Sequence, residues 1–188
     1  MKKLIIILLL MTNQTLSNDK PSDSQVAYLA GGCYWGLEEL IRKLPGVSNT
    51  YVGFTGGHVK NVSYKDVSRG DTGHAESIKI EFNSEVLSFK NLLLQFFKMH
   101  DPTTLNQQGN DRGSQYRSVI FYTKNDQKDT ATNVIELVNQ SNLWENKVVT
   151  SIEKFTSFYP AEESHQKYLS KNPDGYSCHF VRKFNFTK

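Results

Sequence analysis

From residue 26 onward the apolar positions fall into short runs whose period keeps changing. Residues 26–30 are apolar and closed by Gly31-Gly32, which predicts a buried strand. Leu37, Leu40, Ile41 and Leu44 then recur at helical spacing until Pro45-Gly46 stops them. A second strand is expected over 47–54, running into Gly56-Gly57 and a polar loop that reaches Gly73. Beyond it the period becomes two. Ile78, Ile80 and Phe82 share one face and Ser77, Lys79 and Glu81 the other, the pattern of a half-buried strand. Ser88 is placed to cap a helix whose apolar set is Phe89, Leu92, Leu93, Phe96 and Phe97, ended by His100-Asp101-Pro102. A polar stretch with Gly109 and Gly113 runs to Gln115, long for a mere connection. A strand over 118–122, a helix about 131–139, a strand near 148–153 and a short helix about 161–170 follow, and the tail is irregular. Phe97, Met99 and Trp144 read as core.

The order strand–helix–strand, taken twice, is the split β-α-β pattern of ferredoxin-like α+β domains. The expected fold is therefore α+β, with that core, extra helices, long loops and an irregular C-terminal tail. The first residues stand apart from it. Met1-Lys2-Lys3 is positively charged, residues 4–11 are apolar, and the polar residues 12–17 place small side chains at Thr15 and Ser17. Together these predict a signal peptide over 1–17, a linker over 18–25 and a single domain over 26–188. The apolar run falls well short of the roughly 20 residues a membrane span needs, so no stable insertion is expected after processing. Export to the periplasm or beyond the cell follows, with an uncleaved N-terminal anchor as the alternative. No Cys follows the run, which argues against a lipid anchor.

Composition narrows the classes without choosing among them. At 188 residues, 38% hydrophobic and 22% charged, the chain is an ordinary soluble one, long enough to bury a core without covalent staples. A net charge of +3, carried by scattered basic residues, makes no nucleic-acid surface. The two cysteines, Cys33 and Cys178, lie far apart. In an exported protein they suggest a disulfide, and a structural bridge and a reactive pair both stay open on count alone.

Local context weighs on that choice. Cys33 follows two glycines at the first turn of an amphipathic helix, where free N–H groups and the helix dipole lower a thiol pKa. The glycines allow close approach to the backbone. Tyr34 and Trp35 precede the helix's apolar stripe and are not needed for its packing. Glu76 points the same way as Ile78, Ile80 and Phe82. A carboxyl there is costly unless paired or protonated, and a neutral acid beside a sulfur nucleophile suits the protonation of a leaving oxygen. The competing reading places Glu76 at a strand edge, reaching water.

Four segments in order, Gly32-Cys33-Tyr34-Trp35-Gly36, residues 70–76 (Gly-Asp-Thr-Gly-His-Ala-Glu), residues 108–118 around Arg112-Gly113-Ser114-Gln115-Tyr116, and Tyr159-Pro160-Ala161-Glu162 with His165-Gln166, resemble the peptide methionine sulfoxide reductases of the A type. The resemblance covers residues 26–180. It implies reduction of free or protein-bound methionine (S)-S-oxide, without a separate cofactor. Cys33 would attack the sulfoxide sulfur, Glu76 would protonate its oxygen, and Tyr64 and Tyr116 would hydrogen-bond it. Tyr34 and Trp35 would wall the methyl group, and Asp111 would line the same site. Cys178 would resolve the sulfenic acid as an intramolecular disulfide, which a thioredoxin-like protein or a dithiol would reduce. A monomer is expected, with no metal. The family more often carries Phe where this chain has Tyr34, whose hydroxyl bears on the dryness of the methyl pocket. A single Cys in the tail implies direct recycling rather than a relay.

Three rival readings are weaker. A Cys–His hydrolase could draw on His58, His74, His100, His165 or His179, but has no use for a buried acid at Glu76. A binding module would keep Cys33–Cys178 as a permanent staple. A zinc site lacks CxxC spacing, although Cys178 and His179 are adjacent; His165 reads as a structural or helix-end histidine.

Overall fold

A computed structural model describes residues 23–186. The expected signal peptide over 1–17, and the expected linker as far as residue 22, lie outside the described residues; Ser24 and Gln25, expected in the linker, instead pair as strand with Asn83 and Phe82, so the domain starts before residue 26. The described residues form eight strands and five α-helices. Strand β1 (Ser24–Gly31) leads into helix α1 (Tyr34–Ile41) and returns as β2 (Val47–Thr55). Strand β3 (Ala75–Asn83), helix α3 (Phe89–Met99) and strand β6 (Ser118–Tyr122) repeat the pattern. Between them lie a short helix α2 (Tyr64–Val67), the two-residue strands β4 (Gln107–Gln108) and β5 (Asp111–Arg112), and a 3₁₀ turn at Ser114–Tyr116. Helix α4 (Asn125–Gln140), strands β7 (Ser151–Lys154) and β8 (Phe158–Pro160) and helix α5 (Tyr168–Lys171) complete the set.

The result is an α+β fold on a mixed six-stranded sheet in the order β7-β6-β1-β3-β2-β8. Strands β1 and β2 both pair antiparallel with β3, which lies between them, and β6 pairs antiparallel with β1. Among the described strands the single parallel pair is β6 with β7. Alternation decides the faces: Leu29, Ile78, Ile80, Phe82 and Ile120 point to the helical side, where Leu37, Ile41, Leu92, Phe96 and Phe97 complete one apolar cluster. Each of these side chains removed from water contributes about 1.5–3 kcal/mol to the driving force. On the other face a smaller cluster gathers Ala30, Ala75, Val119 and Phe121 under Tyr28 and Phe155, whose rings stack at 4.0 Å.

Several elements differ from the sequence pattern. Helix α4 begins at Asn125, six residues before the expected 131, because its first turn is polar and carries no apolar signal. The loop expected over 56–73 contains α2, fixed by a reciprocal capping box between Ser63 and Asp66. The helix expected over 161–170 is mostly turns and survives only as α5. Its backbone makes three-residue turn bonds, from His165 N–H to the Glu162 carbonyl at 2.9 Å and from Gln166 N–H to the Glu163 carbonyl at 3.2 Å, and further bonds tie it to other elements. Gln166 Oε1 accepts from Val52 N–H at 2.8 Å, and its Nε2 donates to the carbonyls of Val52 and Ala161 at 2.9 Å each. Lys167 N–H donates to the buried Glu38 carboxylate at 2.9 Å, with Lys167 in the left-handed region at φ 52°. Strand β8, three residues long, is too short to show a period.

Candidate active site

Three turns converge at the carboxyl end of β1 and the start of β3. Gly32, at φ 96°, redirects the chain so that Cys33 becomes the N-cap of α1 with 7% of its surface exposed. A Cβ at Gly32 would lie 2.4 Å from Cγ of Gln108, so the close approach this glycine allows is from its own chain. Glu76, the second residue of β3, is 3% exposed and accepts the Tyr34 N–H at 3.1 Å. It is therefore buried in the core end of a strand, not at an edge. The capping box at Ser63 sets Tyr64 in the first turn of α2, and its N–H donates to Glu162 at 3.2 Å. The 3₁₀ turn presents Tyr116, and β5 presents Asp111.

Cys33, Tyr34, Trp35, Tyr64, Glu76, Asp111 and Tyr116 line one cavity of about 140 Å³, together with Tyr176. Seven of the eight residues singled out from sequence thus meet in one place. The eighth, Cys178, sits beside it, donating to Asp111 Oδ2 at 3.3 Å. Larger clefts lie elsewhere; one of about 380 Å³ between α3 and α4 is lined by Lys90, Thr130, Asn133, Val134, Glu136, Leu137 and Gln140, with no thiol among them. Among the described residues no set of three or more His, Cys, Asp or Glu side chains is placed to hold a metal ion.

Electrostatics confirm one expectation and correct another. Burial, against the opposing hydrogen bond from Tyr34 N–H, pushes the Glu76 carboxyl up to about 8, so it is mostly protonated at neutral pH. Cys33 was expected to have a lowered pKa; the structure raises it well above the thiol range. Desolvation is the largest cause and the nearby Glu76 charge the next, while the Trp35 N–H bond to the sulfur opposes them. A helix terminus supplies a partial charge only, which does not offset burial of a full one. Tyr34, Tyr64 and Tyr116 are likewise raised, chiefly by burial, and stay as phenols able to donate.

The Tyr34 hydroxyl bonds to His165 Nδ1 at 2.9 Å, and Trp35 Nε1 donates to the same atom at 3.2 Å. An indole N–H can only donate, so Nδ1 carries no proton and His165 is neutral there. Burial pulls its pKa down, consistent with that form. The extra hydroxyl is thus engaged away from Cys33. Trp35 is also stacked on Tyr168 at 3.9 Å, and His165 lies 4.4 Å from the Tyr64 ring.

The peptide methionine sulfoxide reductase family model matches residues 25–188. The chain belongs to that family. This reductase is 53% identical over 156 residues to peptide methionine sulfoxide reductase MsrA 2 of Rhodopirellula baltica, covering 83% of this chain and 90% of the relative. It is 50% identical to MsrA 1 of Mesorhizobium japonicum over 86% of this chain and 91% of that one. Among solved structures it is similar to reduced Mxr1 of Saccharomyces cerevisiae, with TM-score 0.82, 38% identity, and 87% and 95% of the two chains covered. Mxr1 in complex with Trx2 is also similar, at TM-score 0.58 and 26% identity, over 87% and 94%. The reductase is accordingly an oxidoreductase of the MsrA class. The sequence pattern does not place His165, Tyr168, Tyr176 and His179 around its cavity, because they come from segments with no apolar period; the signals available were the place of His165 in the fourth family-like segment and the adjacency of Cys178 and His179.

Proposed function

We propose that the chain reduces methionine (S)-S-oxide, free or in proteins, by way of Cys33. The observation that carries this reading is the meeting of the Cys33 thiol, the buried Glu76 carboxyl and the Tyr64 and Tyr116 phenols in a single small cavity. A sulfoxide is a weak electrophile until its oxygen is hydrogen-bonded or protonated. Tyr64 and Tyr116 donate to that oxygen and Glu76 supplies the proton as charge develops. Protonation of Glu76 also removes the second of the causes that raise Cys33, leaving desolvation as the main one. The oxygen passes to sulfur, so Cys33–SH and the sulfoxide become Cys33–SOH and the thioether. Tyr34 and Trp35 pack the methyl group, and Asp111 lines the opposite side.

Cys178 then resolves the sulfenic acid, forming a disulfide and water, and a thioredoxin-like protein reduces that disulfide. The Mxr1–Trx2 complex supports this choice of partner. Residues 1–17 act as a signal peptide, 18–23 as a linker, and 24–188 as one exported domain, since Ser24 and Gln25 already pair in β1. Its β1-α1-β2 and β3-α3-β6 units, with β3 between β1 and β2, form a ferredoxin-like split core. That arrangement brings the carboxyl end of β1 beside the start of β3.

The test is turnover of the two separated sulfoxide epimers with dithiothreitol. Wild type should consume the S epimer, and Cys33→Ser should lose turnover while keeping its circular dichroism spectrum. Residual activity above a few per cent, or equal use of both epimers, overturns the assignment.

A further inference from the structure

We propose that His179 Nδ1 is the base that takes the thiol proton of Cys178 as that residue closes the disulfide with Cys33. This deepens the reading of Cys178 as the resolving thiol and rests on it. His179 Nε2 lies 2.7 Å from the carbonyl oxygen of Gly31. A carbonyl only accepts, so Nε2 carries the ring proton and Nδ1 presents a lone pair. Nδ1 is 3.5 Å from Cys178 Sγ.

The ring is held in that pose by the backbone on both sides of Cys33. Its Cε1 is 3.3 Å from where a Cβ on Gly32 would sit, and its Nδ1 is 2.8 Å from the corresponding point on Gly36. The base for the resolving thiol is therefore clamped against the turn that carries the nucleophile. Burial keeps the imidazole neutral, lowering its pKa, with Arg182 acting in the same direction and Asp111 and the Gly31 carbonyl opposing. Buried His100, whose own pKa is lowered, lies close enough to sense the charge of His179 and is itself neutral.

Cys178 needs such a base. Desolvation, the hydrogen bond it donates to Asp111 and the charge of that carboxylate push its thiol up to about 12, and Tyr176, which shares Asp111 Oδ2 at 3.2 Å, lies against it. Asp111 thus stabilises the thiol and opposes the thiolate. The imidazole is closer in basicity to a thiolate than a carboxylate is, which makes it the better matched proton acceptor. In the step itself Cys178 sulfur bonds to Cys33 sulfur and the Cys33 S–O bond breaks. The Cys178 proton passes to His179 Nδ1 and then to the departing hydroxide, which leaves as water. Cys178 sulfur is oxidised, Cys33 sulfur is reduced from sulfenic acid to disulfide, and no outside oxidant is involved.

The experiment uses the reduced chain with excess methionine sulfoxide and no reductant, quenched over time. Released methionine is measured beside the Cys33–Cys178 disulfide by mass spectrometry, with dimedone trapping sulfenic acid. His179→Gln keeps an N–H for the Gly31 carbonyl; His179→Asn guards against a misplaced side chain in the first variant. In both, the ratio of disulfide rate to methionine rate should fall about 10²-fold, the lower end for a proton-transfer catalyst. Between pH 7 and 9 the wild-type ratio of disulfide rate to methionine rate should be flat, while in the variants that ratio climbs about tenfold per pH unit as the thiol ionises unaided. A ratio within threefold of wild type with a flat profile overturns the proposal. So does an Asp111→Asn variant that alone acquires the rising profile. Absence of a Cys33–Cys178 disulfide in wild type instead overturns the resolving role of Cys178 beneath it.

Discussion

Glu76 and Tyr34 are joined through the backbone, with the Tyr34 N–H on Glu76 Oε2 at 3.1 Å, and each makes a separate prediction. With its carboxyl pushed up to about 8, Glu76 is in acid form below that pH, so reduction should decline tenfold per unit above about 8. Glu76→Gln should lower the rate about 10²–10⁴-fold and abolish that decline; a variant within threefold of wild type would remove Glu76 from the chemistry. Stability follows the same proton. A folded pKa above the unfolded one favours the native state fully below about 4.5 and loses that contribution as pH rises through about 8. The melting temperature of Glu76→Gln minus that of wild type should therefore grow between pH 5 and 8 and level off above. Tyr34→Phe deletes the 2.9 Å bond to His165 and leaves the Trp35 donor in place. It should cost about 0.5–1.5 kcal/mol of stability with kcat/KM within threefold, because the hydroxyl faces His165 rather than the sulfur. A tenfold rise in activity would mean that the hydroxyl does wet the methyl pocket. Glu76 was legible in sequence because a strand has a period of two, so an acid in the apolar register declares itself. The Cys33 pKa was not, since the dipole at a helix start is visible in sequence and the depth of burial is not.

Helix α1 serves as a bench on which the C-terminal tail lies. A Cβ on Gly36 would come within 2.5 Å of Ser177 Oγ and 2.8 Å of His179 Nδ1. By propensity alone Gly36→Ala should favour the helix by about 1 kcal/mol. The structure predicts a split outcome: the alanine lifts the tail, so disulfide formation slows several-fold in a single turnover while methionine release changes little. Equal effects on both steps would show that the tail does not need this contact. The elements that carry the site were readable where they were long: β1, α1, β3 and α3 each show at least three apolar positions in register. Strand β8 and the 161–170 segment were not, because three residues cannot display a period and side-chain bonds from Gln166 and Glu38 replace the helical ladder. Long-range partners of this kind have no local signature.

For the whole molecule, the proposed reaction is a cycle between a dithiol and a disulfide, and both cysteines are free in this structure. Cys178→Ser should still release about one methionine per chain and stop at the sulfenic acid. It should keep partial turnover with dithiothreitol and almost none with a thioredoxin-like protein, which exchanges with disulfides. Normal turnover with the protein reductant would contradict the cycle. The two outer strands of the sheet bear on a different hazard. A reductase acting on oxidised proteins would meet partly unfolded chains whose bare strands seek an edge to pair with. Here β8 is three residues long and ends in Pro160, which has no N–H to offer, and β7 carries Glu153 and Lys154. Where β8 stops, the side-chain amide of Gln166 takes both the N–H and the carbonyl of Val52. Gln166, together with the Ala161 N–H on the same carbonyl at 3.0 Å, thus finishes the hem of the sheet and leaves little bare edge on which an unfolded chain could pair.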